Sequence, residues 1–235
     1  MADWQVGGRG PRPLAHERLR AREIIHCLKD CYPDADCTLD YQGRPFRLLV
    51  GAILAAQCTD ARVNMVTPAL FARYPEVEDM AAASPEDLIP YIRSCGFFRN
   101  KARSLQGAAA YLMAEHGGEV PCTEAELLRI PGVGRKIANL LLGDIYGQQA
   151  VVVDTHCGRI SRLLGFTKEQ NPTAVERDLC KKVPQEYWTD WGHLLVEHGR
   201  ACCRAGRPDC MHCALAPLCD HFQGGALRLV PGSEV

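Results

Sequence analysis

Three sets of residues in this 235-residue chain have the types and spacing to do chemistry: Lys136, Asp154, and the cysteines Cys203, Cys210, Cys213 and Cys219. Lys136 follows Gly132-Val133-Gly134-Arg135 and stands where a helix should begin. The positive end of the helix dipole and the adjacent Arg135 both disfavour an ammonium there, as any burial would. A lysine pushed towards its neutral amine attacks an electrophilic carbon and forms a Schiff base. The plainer role is a solvated lysine that touches a phosphate. Asp154 ends the apolar run Val151-Val152-Val153 and precedes a helical segment, which is an N-cap position. The two roles open to it are compatible, because N–H donors at a helix start keep a carboxylate ionised and able to stabilise a developing positive charge. His156, two residues on, reads as a structural hydrogen-bonding residue and is given no chemistry.

The four cysteines form a C-x6-C-x2-C-x5-C pattern. Soft thiolates this close in sequence point to a metal site or an iron–sulfur cluster rather than to disulfides. Spacing alone leaves structural zinc open, since Cys210 and Cys213 form a zinc-like pair. Cys202 competes with its neighbour as a ligand, and His212 resembles one. Arg200, Arg204 and Arg207 make this loop locally basic, which suits either a solvated surface or a phosphate contact.

The element that must position Lys136 lies in Leu127-Leu128-Arg129-Ile130-Pro131-Gly132-Val133-Gly134-Arg135-Lys136-Ile137-Ala138. One amphipathic helix ends near Ile130 and another begins near Arg135. Gly132 and Gly134 permit backbone conformations closed to other residues and leave no side chain in the way. The N–H groups at the second helix start can therefore approach a phosphate, while Val133 anchors the turn in the core. The pattern as a whole resembles the helix-hairpin-helix DNA-binding motif.

The rest of the chain reads as helix. Residues 17–31 carry apolar positions Leu19, Ile24, Ile25 and Leu28 at helical spacing. Ser84-Pro85-Glu86-Asp87 offers an N-cap followed by proline, and Thr123 to Glu126 and Thr173 to Glu176 match the capping box. Val151 to Val153 is too short to carry a sheet. The expected fold class is all-α. A content of 47% hydrophobic and 23% charged residues excludes wholesale disorder. No apolar stretch has the length of a membrane span, and the one near Leu48 to Ala56 reads as a buried helix. The first residues, rich in Gly, Pro and Arg, lack the apolar segment of a secretory signal and read as a flexible basic leader. A net charge of -1 argues against coating DNA by bulk attraction, but phosphate contacts depend on local charge. Cys27, Cys58, Cys95 and Cys180 sit within apolar patterns as small hydrophobes of a reducing compartment.

The hairpin with Lys136, an aspartate 18 residues later (154 − 136), and the cysteine tail together resemble endonuclease III, the bifunctional branch of the helix-hairpin-helix DNA glycosylases. The resemblance extends through Leu54-Ala55-Ala56-Gln57-Cys58-Thr59-Asp60, Gly96-Phe97-Phe98-Arg99-Asn100-Lys101-Ala102, Val153-Asp154-Thr155-His156 and His198-Gly199-Arg200, and covers residues 20 to 222. It implies two helical domains with a DNA cleft between them. These are a six-helix domain with the hairpin over residues 38–148 and a discontinuous cluster domain of residues 17–37 and 149–223, between a leader (1–16) and a tail (224–235). It implies a [4Fe–4S] cluster on Cys203, Cys210, Cys213 and Cys219, with Lys136 as nucleophile and Asp154 as catalytic carboxylate. Gln57 and Phe97 would enter the duplex, and Gly132, Val133, Gly134 and Arg135 would meet its backbone. Phe97 stands where related enzymes carry a smaller aliphatic wedge.

The implied function is a DNA glycosylase and abasic-site lyase of base excision repair, acting on double-stranded DNA with oxidised pyrimidines or abasic sites. It would work as a monomer, away from membranes, in the cytoplasm of a bacterium beside the nucleoid. A mismatch adenine glycosylase resembles the chain less well, because that branch usually lacks the lysine and carries an additional C-terminal domain. A non-catalytic helix-hairpin-helix module with a structural metal would reduce Lys136 to a phosphate contact.

Overall fold

Capping residues and prolines place most helix starts where the sequence marks them. In the computed structural model, which describes residues 12–226, the regular elements are helical and no strand occurs among the described residues. None of these helices is long and apolar enough to cross a membrane. The chain divides into two units, Asp36–Val152 and the described parts of Met1–Ala35 with Val153–Val235.

In the second of these, α1 (Leu14–Cys31) belongs with α9 (Thr155–Leu163), α10 (Pro172–Lys182), α11 (Trp188–Ala201) and α12 (Asp220–Ala226). Ile24, Ile25, Leu28, Ile160, Phe166, Leu179 and Trp191 are buried there. Arg20 joins the N-terminal helix to the distant C-terminal loop. Its guanidinium pairs with Glu17 at 2.8 Å, donates to the carbonyls of Leu164 at 2.7 Å and Leu218 at 2.9 Å, and lies over the Phe166 ring. These bonds make burial of the charge tolerable.

The leader expected over residues 1–16 is shorter within the described part. Helix α1 begins at Leu14, and Arg12 pairs with Asp220 and Glu17. Residues 1–11 of that leader and 227–235 of the expected tail lie outside the described residues. A second correction concerns α10, whose cap is Asn171 and not Thr173. The Asn171 side chain accepts from Thr173 N at 3.0 Å and Ala174 N at 3.3 Å. Pro172, with its locked φ and missing N–H, takes the first helical position and moves the helix start upstream.

The unit Asp36–Val152 holds α2 (Pro45–Leu54), α3 (Asp60–Arg73), α4 (Val77–Ala82), α5 (Pro85–Ile92), α6 (Phe98–His116), α7 (Glu124–Leu127) and α8 (Arg135–Asp144). Its core runs from Leu39 through Leu48, Leu70, Met80, Leu105 and Leu127 to Leu142. Ser84 caps α5 with the reciprocal Asp87 bond, and Thr123 caps α7. Helix α7 is a single turn that stops at Leu127, short of the Ile130 end expected. Arg129 and Ile130 continue as tighter turns, with N–H bonds to Glu126 O and Leu127 O. Pro131 disfavours helical backbone at the residue before it.

Candidate active site

The hairpin between α7 and α8 hangs on one residue that must be glycine. Gly132 has φ +83°, and a Cβ there would stand 2.8 Å from Ser104 Cβ on α6. Gly134 differs from the sequence expectation: its φ of -104° is open to any residue. What Gly134 contributes is clear space, since a Cβ would meet nothing within 4 Å. Val133 is buried, and its N–H bonds Ile130 O at 3.0 Å, which closes the turn.

Helix α8 starts at Arg135 with Gly134 as its cap. Lys136 is its second residue and is exposed. The N–H groups of a first helical turn have no acceptor within the helix and carry the positive end of its dipole. Arg135 pairs with Glu124 at 3.1 Å, so part of the positive charge beside Lys136 is balanced.

Gln57 and Phe97 lie on two loops of the same unit, and both are exposed. Each holds a left-handed backbone, φ +52° at Gln57 and +46° at Phe97. Such conformations in non-glycine residues cost of order 1–3 kcal/mol and persist where the surroundings enforce them. Phe97 is also the N-cap of α6, the helix that carries Ser104 beneath the hairpin. Between the two loops lies Lys101, which the sequence reading passed over. It is 5% exposed, and burial pushes its ammonium below the usual lysine range.

Asp154 caps α9. Its Oδ1 accepts from Cys157 N at 2.7 Å, and its Oδ2 stands 3.3 Å from His156 Nδ1. His156 is held from the other side by Gly199, where an added Cβ would approach His156 Cδ2 to 2.3 Å. His156 thus has the structural role expected of it. Farther along α9, Arg159 donates to Cys203 O at 2.5 Å and approaches Cys203 Sγ at 3.5 Å. One helix therefore carries Asp154 at its start and grips the cysteine loop from its middle.

Cys203, Cys210, Cys213 and Cys219 line one apolar cavity with Leu163 and Leu215, and Cys202 and His198 share it. Burial raises the thiols of Cys210 and Cys219, and pushes Cys213 up to about 12. A set of thiolates in this apolar space needs a positive partner, and a bound metal deprotonates a coordinating thiol outright. The residues fit a metal group on that chemistry. His198 is buried and held neutral, its imidazole brought down to about 4 by burial. Its Nδ1 lies 3.2 Å from the Tyr32 hydroxyl and its Nε2 lies 3.6 Å from Cys213 Sγ. His198, Cys202 and Cys213 also bring ligand atoms within 4.8 Å of one another, so geometry alone does not set Cys202 apart. Cys202 Sγ, however, is engaged with Asp209 O at 3.4 Å. His212 faces Asp209 at 2.9 Å. Arg200 pairs with Glu197 and Arg204 bonds Arg200 O, so these arginines have local partners.

Residues 50–185 match the HhH-GPD superfamily base excision DNA repair protein family. The chain is 49% identical over 213 residues to endonuclease III of Synechocystis sp., covering 90% of this chain and 97% of that protein. It belongs to the endonuclease III family. Endonuclease III of Bacillus subtilis is 42% identical, with 87% of this chain and 95% of that protein covered. Among solved structures, a non-covalent endonuclease III–DNA complex matches with TM-score 0.83 at 40% identity, covering 90% of this chain and 98% of that one. A trapped endonuclease III–DNA covalent intermediate matches with TM-score 0.80 at 40% identity, covering 88% and 98%. As a member of this family the chain is a DNA glycosylase and abasic-site lyase of base excision repair.

Proposed function

We propose that Lys136 is the nucleophile of this enzyme and Asp154 its catalytic carboxylate, acting on oxidised pyrimidines in double-stranded DNA. The observation that carries the reading is the placement of Lys136. It is an exposed amine on the first turn of a helix whose capping glycine leaves open space in front. A phosphate held by the helix start brings the neighbouring sugar to the amine.

A flipped nucleotide presents its C1′ to Lys136. The Nζ lone pair forms the C1′–N bond as the glycosidic bond breaks, and the base leaves with that electron pair and gains a proton. Opening of the sugar ring yields the Schiff base, which acidifies the C2′ proton. Loss of that proton expels the 3′ phosphate and cuts the strand, and water then releases Lys136. Asp154, held by the Cys157 N–H, would act as an anion that stabilises developing positive charge.

Gly132, Val133, Gly134 and Arg135 would hold the DNA backbone, and Gln57 and Phe97 would fill the space vacated in the duplex. Cys203, Cys210, Cys213 and Cys219 would hold a [4Fe–4S] cluster, which would tie the C-terminal loop together through four iron–sulfur bonds. The enzyme would act as a monomer, beside chromosomal DNA in a bacterial cytoplasm.

The test is a panel of duplexes, each with one oxidised pyrimidine, one mismatched adenine or one abasic site, scored separately for base release and strand cleavage. Release of oxidised pyrimidines with matching strand cleavage is expected. Base release confined to mismatched adenine, without cleavage, would overturn the reading.

A further inference from the structure

The Lys101 side chain is buried between two helical C-termini. Helix α2 ends at Leu54, and the turn Arg93–Cys95 that follows α5 ends at Cys95. The last carbonyls of a helix lack intrahelical donors and carry the negative end of its dipole. Lys101 Nζ donates to Leu54 O at 2.8 Å and to Cys95 O at 2.7 Å. Its own backbone N–H donates to Phe97 O at 3.0 Å. One residue thus ties down both chains just before they enter the strained positions at Gln57, three residues after Leu54, and Phe97, two after Cys95.

Left-handed backbone at a non-glycine residue persists only where its surroundings enforce it, and relaxation of either loop would release its strain. We propose that Lys101 is the positioning residue that sets Gln57 and Phe97 in their shared presentation for entry into a duplex. This rests on the proposed role of those two side chains. The ammonium suits the task because it offers three donors on a compact charge and so serves carbonyls from two directions at once. Methionine, one heavy atom shorter, fills most of its space but has no hydrogen to donate.

The experiment compares Lys101→Met with the wild-type enzyme on two substrates, a lesion-containing duplex and a single-stranded abasic oligonucleotide. The single strand offers no vacated space to fill, so it reads Lys136 chemistry without the loops. On the duplex, kcat/KM should fall about 10- to 100-fold, the range expected when reacting groups lose their set geometry. On the single strand the rate should stay within about 3-fold of wild type, since nothing the loops provide is in use. In a Gln57→Ala/Phe97→Ala background, Lys101→Met should add no further loss on the duplex, the sign of a shared role. Equal losses on both substrates, or an additive loss in that background, would show a merely structural lysine and overturn the proposal. A Gln57→Ala/Phe97→Ala enzyme with full duplex activity would instead remove the role assigned to the loops, and the proposal with it.

Discussion

The Asp154 carboxylate accepts the backbone N–H of Cys157 at 2.7 Å, so the proposed catalytic anion is also the cap of α9. Two substitutions separate these duties. Asparagine caps as well as aspartate, whereas alanine forfeits about 1 kcal/mol. Asp154→Asn should melt within a degree or two of wild type, yet lose roughly 100-fold or more in base release if the charge is what acts. Asp154→Ala should lose both. Full activity in Asp154→Asn would confine the residue to capping.

The two hairpin glycines should respond differently. Alanine at Gly132 meets both a left-handed backbone and the Ser104 side chain, and should cost about 2 kcal/mol of stability or more. Alanine at Gly134 faces no neighbour and should leave the fold within about 1 kcal/mol, since only the cap preference changes. Its methyl group would nevertheless occupy the space in front of the α8 start and weaken DNA binding. Thermal melting and DNA titration on both variants check this, and unchanged affinity in Gly134→Ala would count against phosphate binding there.

Thiol chemistry should follow burial. Cys157 and Cys95 are buried, and burial raises both thiols, Cys95 to about 11 with Cys58 as its neighbour. Raised thiols carry little thiolate at neutral pH and react only as pH climbs towards their own range. Iodoacetamide at pH 8 should modify the exposed Cys31 and Cys122 of the native protein and spare these two. Mass spectrometry of the labelled peptides reads the result, and rapid labelling of Cys157 would contradict the packing of α9.

The cysteine cavity makes a sharper demand. Serine or alanine at Cys203, Cys210, Cys213 or Cys219 should remove bound iron and broad visible absorbance and lower the melting temperature. Cys202→Ser should keep all three, because Cys202 is engaged with Asp209 O. Loss of iron from Cys202→Ser would place it among the ligands, and colourless protein containing zinc would exclude the cluster.

Much of this was legible in the sequence, for local reasons. Ser84 and Thr123 capped helices as their spacing required, and Asp154 did so where an apolar run ended. Gly132 was legible because a turn that tight needs positive φ, whereas the ordinary negative φ of Gly134 does not follow from its residue type. At α10, a capping-box pattern at Thr173 lost to Asn171-Pro172. Tertiary contacts were the least visible. Nothing near Lys101 in sequence foretells that its ammonium reaches Leu54 O, and the cover that Gly199 provides for His156 joins residues far apart in the chain. Cys202 and Cys203 are adjacent, and only contacts from residues elsewhere in the chain, Asp209 O on Cys202 and Arg159 on Cys203, distinguish them.

The central claim is that Lys136 forms the bond to the sugar. Borohydride reduces a Schiff base to a stable amine, so wild-type enzyme mixed with abasic duplex and borohydride should give a covalent protein–DNA adduct on a denaturing gel. Lys136→Ala, a change at an exposed residue, should keep its melting temperature and its DNA binding and give no adduct. An adduct of undiminished yield from Lys136→Ala would contradict the account and move the nucleophile elsewhere.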